Sequence, residues 1–521
     1  MRLRKIQAKQ KAYSDVHFNL INNGDLKKIR LVVRACIAAE KQKIDEDHLI
    51  DPDSVLSYIR VQQTARSVSD LLLSANLAKS LIKSNLRDTN LIYPLNKKWQ
   101  QIFSQNGVYL RRYGSLTQFF IYRIKSVVKN YYKALLIITA RDKDKISCFE
   151  PNSTFIYAES EYKSDSTSPN KYHFVHWLKA NEIIDNNSDN LYFLTLQKSK
   201  NPSDIHFYNL FNFKLFNTLI TFSKFVKKYK LKFVKLFFIA PNLFIEYTNL
   251  NSDIIMNVSK LIIPSSKGWF KSTWHLKVEE LGTEVIFVNL SDSSEPSATF
   301  DHDFPINWYA FSQWKTVTVC SEYQKQIFES QCPKAYLDKI TVTGTPDWQE
   351  SGDLQTNNNM QYISVFDFEP HKDYYGFSCN NDSGYSNIHN TVVFIQSLTE
   401  IAQKLGVCLI YKSKRKIPDS RRYKEYKDTL FNSSKTSKFF QVAPELISPR
   451  RLIIGSLASI HMPFTSTALI AKELRIPSCF YDVVGLIEAN DPGANGIKII
   501  NNQHILTNWL SEQINRRADI L

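Results

Sequence analysis

The sequence predicts an α/β protein: two parallel-sheet halves preceded by a helical region. Three observations predict it. Beyond residue 130, short apolar runs recur with helical patterns between them, which is how buried parallel strands and their crossovers read. At 521 residues the chain exceeds one ordinary domain, and typical domain size allows about two to four. A polar, turn-rich stretch, "ESGDLQTNNNM" (Glu350–Met360), splits the alternating region in two.

Residues 1–130 read mainly as helix. "DPDSVLSYIRVQQTARSVSDLLLSANLAKSLIKSNL" repeats apolar residues at three- and four-residue spacings behind an Asp-rich start, a good N-cap region. "SLTQFFIYRIKSVVKNYY" (Ser115–Tyr132) has the same spacing, and "ALLIITA" (Ala134–Ala140) then reads as a short buried strand. In the first half, residues 131–350, "STFIYA", "NLYFLTL", "KLFFIA", "KLIIPS" and "TEVIFVNL" are strands, with a helix such as "NLFNFKLFNTLITFSKFVKKY" among them. Thr316–Cys320, Glu322–Gln331 and Ile340–Thr343 continue as strand, helix and strand, stopped by Gly344-Thr345-Pro346.

The second half, residues 360–521, opens on the strand "QYISVFDF". A helix over Asn390–Leu405, the strand "VCLIYKS", a basic run, the strand "KFFQVA" and a final helix in "HILTNWLSEQINRRADI" follow. Between those last two lies "SIHMPFTSTALIAKELRIPSCFYD" (Ser459–Asp482), which packs strand, turn, helix and strand into one βαβ unit. Both halves are Rossmann-like, and such pairs hold ligands at the carboxyl ends of their strands.

Composition narrows the class. Hydrophobic residues at 43% and aromatics at 13% fill sizeable cores, which excludes a disordered chain. The net charge of +16 favours anionic partners, whether nucleotides, phospholipid surfaces or nucleic acid. The basic residues cluster at Met1–Lys11, Lys224–Lys235 and Tyr411–Lys427; solvated faces are the competing reading of each run. Cys36, Cys148, Cys320, Cys332, Cys379, Cys408 and Cys479 show no zinc-like spacing, so buried thiols in a reducing cytosol are expected. The basic N-terminus has no apolar stretch behind it, and "LKFVKLFFIAPNLFI" is too short to span a bilayer. The expected location is cytoplasmic, with peripheral contact to an anionic inner leaflet.

Several residues fit phosphate and sugar chemistry. Thr465, Ser466 and Thr467 stand where a strand gives way to a helix. Ser466 or Thr467 is expected to cap that helix, with the remaining hydroxyls and amides facing a phosphate; a plain cap with no ligand is the alternative. Lys412 and Lys414 close the strand "LIYKSKRK" and bring cations to its carboxyl end. Glu369 and His371 lie in the first strand-to-helix loop of the second half, which lacks G-x-G-x-x-G. Glu445 follows a strand, where a carboxylate can accept ribose hydroxyls. A general base must come within hydrogen-bond reach of an acceptor hydroxyl, and Asp292, Glu295 and Asp303 in "NLSDSSEPSATFDHDFPINW" are the candidates. No metal-binding motif, P-loop or G-x-S-x-G occurs.

"MPFTSTALIAKELRIPSCFYD" resembles the signature of bacterial surface-polysaccharide biosynthesis proteins named for their PFTS motif, here Pro463-Phe464-Thr465-Ser466. More loosely, the chain from Thr316 onward is similar to two-Rossmann (GT-B) glycosyltransferases such as Kdo transferases, bacterial sialyltransferases and glycerophosphotransferases. The resemblance implies that Ser466-Thr467 matches the hydroxyl pair that holds the nucleotide phosphate in the sialyltransferase-like members. It also implies a His-Pro motif, and Pro370-His371 has that order reversed. The implied function is a glycosyltransferase of surface polysaccharide assembly, of O-antigen or capsule type. It would use a nucleotide-activated sugar as substrate, CMP-linked donors among them, and a glycan or lipid-linked glycan as acceptor. No cofactor, metal or nucleic-acid partner is expected. The alternatives are a nucleotide-sugar epimerase of the same fold and a non-catalytic assembly subunit.

Overall fold

A computed structural model of the chain describes residues 128, 131–132, 134–135, 149–158, 169–186, 190–195, 204–206, 245–247, 250, 252–265, 271–291, 309, 312–332, 336–346, 361–368, 388–414, 423–444, 447–485 and 487–518. Two parallel sheets organise them. The first has seven strands: β1 (Ser153–Ala158), β2 (Leu191–Thr195), β3 (Asp204–His206), β4 (Val258–Ser265), β5 (Glu284–Asn289), β6 (Thr316–Val319) and β7 (Lys339–Val342), in the order β3-β2-β1-β4-β5-β6-β7. The second has six: β8 (Tyr362–Phe366), β9 (Cys408–Lys412), β10 (Phe440–Val442), β11 (Ser459–His461), β12 (Ser478–Tyr481) and β13 (Lys498–Ile500), ordered β10-β9-β8-β11-β12-β13. Both orders run 3-2-1-4-5-6, the doubly wound arrangement, with β7 added to the first.

Helices α1 (Pro169–Ala180), α2 (Ser252–Ile255), α3 (Thr273–Glu280) and α4 (Glu322–Gln331) accompany the first sheet. Helices α5 (Ile388–Leu405), α6 (Lys424–Thr436), α7 (Pro449–Ile454), α8 (Thr467–Glu473) and α9 (Gln503–Ala518) accompany the second. Because side chains alternate along a strand, neighbours in sequence fill opposite layers. Phe155, Leu261 and Phe287 enter a core with Trp274 and Trp314, while Ile156, Ile262 and Ile286 join Phe174 and Trp177 on the other face. In the second sheet Ile363, Val365 and Leu409 pack with Phe394 and Trp509, whereas Tyr362, Phe366 and Ile410 meet Leu452 and Ala471. Covering both faces explains why these strands read as near-continuous apolar runs.

The run expected as a strand at Ala134–Ala140 is corrected at its start. Ala134 and Leu135 are helical, like Val128, Tyr131 and Tyr132. Only Ala134 of these is buried, the one-sided burial of an amphipathic helix. A short apolar run does not by itself separate strand from buried helix. The rest of that run, the helical region before it, "KLFFIA" and "NLFNFKLFNTLITFSKFVKKY" lie outside the described residues. The sequence reading missed β3, β13, α1 and α7, and it took α6 for part of a basic loop.

Beneath α3 lies an interior ion pair. Lys271 is fully buried, paired with Glu279 and 5.6 Å from the Trp314 ring centre. Burial pushes the Lys271 ammonium down from 10.5 to about 8 against the opposing pull of Glu279. Removing one member of such a pair leaves the other charge stranded. Glu279→Ala should therefore cost about 3–5 kcal/mol, read as a lowered urea midpoint, with Lys271→Met/Glu279→Leu recovering most of it.

A second polar contact joins the two halves. The Thr345 amide and hydroxyl each donate to Glu473 Oε1 at 2.9 Å, and the hydroxyl lies equally close to Oε2. Glu473 ends α8, while Thr345 closes the connection after β7. The preceding Gly344 has φ +74°, and a Cβ there would come within 3.0 Å of the same carboxylate oxygen. Glu473→Ala leaves a buried Thr345 without its acceptor. The expected loss is about 1–3 kcal/mol in chemical unfolding, with no change in the far-UV spectrum.

Candidate functional site

In a doubly wound sheet the winding reverses between the two central strands, and the chains leaving them diverge to opposite faces. In the second sheet those strands are β8 and β11. The last rung between them is the Met462 amide donating to the Phe366 carbonyl at 2.9 Å. From β8 the chain runs toward α5, which packs in the Ile363 layer, and from β11 it runs into α8, which packs in the Tyr362 layer. The crevice a reversal opens is therefore bounded by Asp367 on one side and by Met462–Thr467 on the other.

The Met462–Thr467 segment is built residue by residue. The Thr465 amide donates to the Met462 carbonyl at 3.3 Å, closing a four-residue turn with Pro463 second and Phe464 third. Phe464 has φ +60°, as the third residue of a type II turn must, and glycine normally takes that place. Phenylalanine is held there because its ring is buried against Phe480, at 5.6 Å between centres. Beyond the turn, His461 Nδ1 lies 2.8 Å from Thr467 Oγ1, Thr467 Oγ1 lies 3.5 Å from Thr465 Oγ1, and Thr465 Oγ1 donates to the Met462 carbonyl at 2.9 Å. One set of protons satisfies all three contacts: Nδ1–H to Thr467, Thr467 to Thr465, Thr465 to the backbone. Nε2 is then a bare lone pair, and it meets no donor. The ring is fully buried and stacked on Phe366 at 5.2 Å, and burial pushes its pKa down to about 3, so the imidazole stays neutral. Ser466 is half-buried, and its hydroxyl is the one of the three that the turn does not use.

The opposite side of the crevice is a carboxylate cage. Asp367 is buried at the end of β8. Oδ1 accepts the Lys414 amide at 2.7 Å; Oδ2 accepts the Tyr411 hydroxyl at 2.9 Å and also the Tyr426 hydroxyl. Ser413 Oγ stands 3.1 Å from the Tyr426 hydroxyl. Burial raises Asp367 from 3.8 to about 6, although Tyr426, the Lys414 amide and Tyr411 all pull it down. The same burial, with Asp367 beside them, raises both tyrosine hydroxyls well above their ordinary range. The cage fixes the loop after β9. Lys414 Nζ sits 4.4 Å from the Phe368 ring centre, and Lys412 Nζ donates to the Pro444 carbonyl at 3.3 Å. Two cations thus stand at the carboxyl end of β9, beside the crevice.

The sequence profile described as "Polysaccharide biosynthesis PFTS motif protein" matches residues 232–510, more than half of the chain. The chain belongs to this family. No curated protein sequence matches it. Among solved structures it is similar to a UDP-GlcNAc 2-epimerase from Methanocaldococcus jannaschii, at 12% identity and TM-score 0.35 over 69% of this chain and 92% of that one. It is also similar to an α,α-trehalose-phosphate synthase (UDP-forming) from Burkholderia vietnamiensis, at 10% identity and TM-score 0.36 over 71% and 90%. MurG from Acinetobacter baumannii gives 10% identity and TM-score 0.30 over 70% and 91%.

In this PFTS protein the expected site residues fall into three groups. Thr465, Ser466 and Thr467 lie together beside the switch point, and Lys412 and Lys414 stand at the next strand end. Asp292, Glu295, Asp303, Glu369, His371 and Glu445 lie outside the described residues. One local expectation is corrected: Ser466 precedes α8 with helical backbone angles and no side-chain cap bond, and Thr467 bonds to His461 rather than to the helix amides. The helix has only seven residues. Sequence reasoning also missed Asp367, Tyr411, Tyr426 and His461. The available signal was an aspartate embedded in the apolar run "YISVFDF" and a histidine ending the apolar "LASIH". Among the described residues no group of three or more His, Cys, Asp and Glu side chains could hold a metal ion.

Asp367 makes stability depend on pH. A carboxyl raised on folding binds more protons in the folded state, so its stabilising effect is full below 3.8 and is lost as pH rises through about 6. Relative to Asp367→Asn, the wild type should gain about 1.4 kcal/mol between about pH 7.5 and about pH 5. Parallel urea titrations at the two pH values measure it.

Proposed function

We propose that this PFTS protein is a glycosyltransferase of surface polysaccharide assembly that takes its sugar from a nucleotide-activated donor. The observation that carries the reading is the position of the family's own motif: the Pro463–Thr467 turn stands at the reversal point of a doubly wound sheet, where such folds take nucleotides. In this reading the Ser466 hydroxyl and the free amides of the turn meet the donor phosphate. Lys412 and Lys414 lend it positive charge, and Glu369, His371 and Glu445 complete the nucleotide pocket. As the bond from the anomeric carbon to phosphate breaks, the departing phosphate gains negative charge, and fixed donors stabilise it more than they stabilise the intact donor.

The first half presents the acceptor. A carboxylate among Asp292, Glu295 and Asp303, all following β5, takes the proton of the acceptor hydroxyl as that oxygen bonds to the anomeric carbon. A CMP-linked donor and an O-antigen or capsule-type product are the finer parts of the proposal. So is attraction of Lys224–Lys235 to the anionic inner leaflet, where each cation contributes about 1 kcal/mol. No helix among the described residues is long and apolar enough to cross a membrane.

Thermal shift with CMP, CDP, UDP and GDP tests the donor side. The wild type should respond to one nucleotide above the others, and Ser466→Ala should bind it about 10- to 100-fold more weakly, the loss of one hydrogen bond to a charged group. A response equal across all four nucleotides, or unchanged in Ser466→Ala, would falsify the assignment. Product analysis with the preferred nucleotide sugar separates glycan extension from epimerisation of the free donor.

A further inference from the structure

We infer that Asn289 is a binding residue for the hydroxyls of a sugar ring, at the carboxyl end of the first sheet. The inference rests on the transferase reading above and gives its sugar-binding side a residue. Asn289 ends β5, two strands from β1 and next to β4, the pair at which the first sheet's winding reverses. It is 1% exposed, yet neither its carboxamide oxygen nor its nitrogen has a hydrogen-bond partner.

The neighbourhood makes that deficit informative. Gln324, from α4, is equally buried at 2% exposure and is fully paired: its oxygen accepts the Cys320 amide at 2.8 Å and its nitrogen donates to the Ser291 carbonyl at 3.4 Å. Even the Asn289 backbone carbonyl is engaged, by Cys320 Sγ at 3.5 Å. The fold thus pairs Gln324 and the Asn289 backbone carbonyl but leaves the Asn289 carboxamide and, on the adjacent strand, the Thr318 hydroxyl without partners. Buried amides without a partner are rare and call for a missing one. Alternation puts the Asn289 side chain on the same face as Phe287, which stacks on Trp314 at 5.0 Å. The Phe287 ring offers no hydrogen bond, and the one donor of Trp314, its indole N–H, does not reach the carboxamide, so the partner is sought outside the core.

The chemistry of the group selects the ligand. A carboxamide presents an acceptor and two donors in one plane. Adjacent ring hydroxyls, each a donor and an acceptor, complement it without any charge. The hydroxyls could belong to the donor's sugar or to the acceptor glycan, and the test has an arm for each.

Asn289→Leu keeps the shape of the side chain and removes its polarity; Asn289→Ala removes the carboxamide without adding bulk. In the donor arm, binding of UDP-N-acetylglucosamine, CMP-N-acetylneuraminate and GDP-mannose is compared with binding of UDP, CMP and GMP or GDP alone. In the acceptor arm, the full chain is applied to an array of bacterial surface oligosaccharides. The expected result is an unchanged or raised thermal midpoint for Asn289→Leu, an intact response to nucleotide alone, and a loss of about tenfold or more in the sugar-dependent signal of one arm. That arm names the source of the hydroxyls. Gln313→Leu is the control: it removes an equally buried, unpaired carboxamide that precedes β6, at the amino end of the strand next to β5 rather than the carboxyl end, and should leave both arms intact.

A midpoint lowered by several degrees in both Asn289 variants would overturn the inference, because the carboxamide would then be structural. So would sugar-dependent signals unchanged in both arms, absent from the wild type, or lost equally in Gln313→Leu. A wild type that ignores every nucleotide counts against the transferase reading alone, and the oligosaccharide arm still decides Asn289.

Discussion

The site depends on one topological constraint, the reversal of winding between β8 and β11. Parallel strands need crossovers, and right-handed crossovers place successive helices on one face until the direction of winding changes. At the change, two hydrogen-bonded neighbours send their chains apart. Phe366 and Met462 share the final rung at 2.9 Å, and nothing in the backbone pattern continues beyond it. What lies just past that rung must be fixed by side chains. His461 stacked on Phe366 and Asp367 gripped by two tyrosines are the means used on the two sides.

The PFTS letters then acquire separate physical meanings. Proline sets the second position of the turn. Phenylalanine occupies a left-handed conformation that costs about 1–2 kcal/mol for a residue with a side chain, and burying its ring returns roughly 1.5–3 kcal/mol. Glycine would relieve the strain but forfeit the anchor. Thr465 ties the turn to its own first carbonyl, and Thr467 relays to His461. Most of the motif therefore encodes a rigid turn, and Ser466 is the residue whose hydroxyl the turn leaves over. A hydroxyl on a braced turn loses little entropy when it binds, which is the advantage of preorganisation.

Strand sequences carried most of the fold because both faces of each sheet are covered. "YISVFDF", "CLIYK" and "EVIFVN" are mostly apolar, broken only by Ser364, Asp367, Lys412, Glu284 and Asn289, and runs so short and so apolar are what a sheet covered on both faces requires. The short strands β3 and β13 escaped because "DIH" and "KII" each carry a charged residue and only three positions, whereas the equally short β10 and β11 sit in the longer apolar runs "KFFQVA" and "LASIH". Helix α6 was hidden by charge: its sequence "KEYKDTLFNSSKT" is largely polar, and only Tyr426, Leu430 and Ser433 are buried in it. The Thr465–Thr467 cluster was legible as a group of hydroxyls at a strand end. Its internal wiring was not, since the partner of Thr467 is set by the orientation of His461. Asp367 was illegible for a related reason: its cage draws on Tyr411 and Tyr426, which are 44 and 59 residues away.

The two halves meet their polar obligations differently. In the second, the buried carboxylates at strand ends are saturated: Asp367 by two hydroxyls and an amide, Asp482 by the Val484 and Ile487 amides. Among the described residues of that half, His461 Nε2 is the one buried side-chain atom left over. In the first half Asn289, Ser312, Gln313 and Thr318 all keep buried polar atoms without partners. Each such atom costs about 1–3 kcal/mol while it stays unpaired. In the proposed reading a ligand supplies the missing bonds at Asn289, while Gln313, before β6, carries the same cost without one. In the proposed reading the saturated half is a preformed seat, whose donors need no rearrangement as charge develops. In the same reading Asn289, in the other half, gains its bonds when a sugar ring arrives. That asymmetry suits a reaction in which an anionic nucleotide is held throughout and neutral sugars of varied shape must enter and leave.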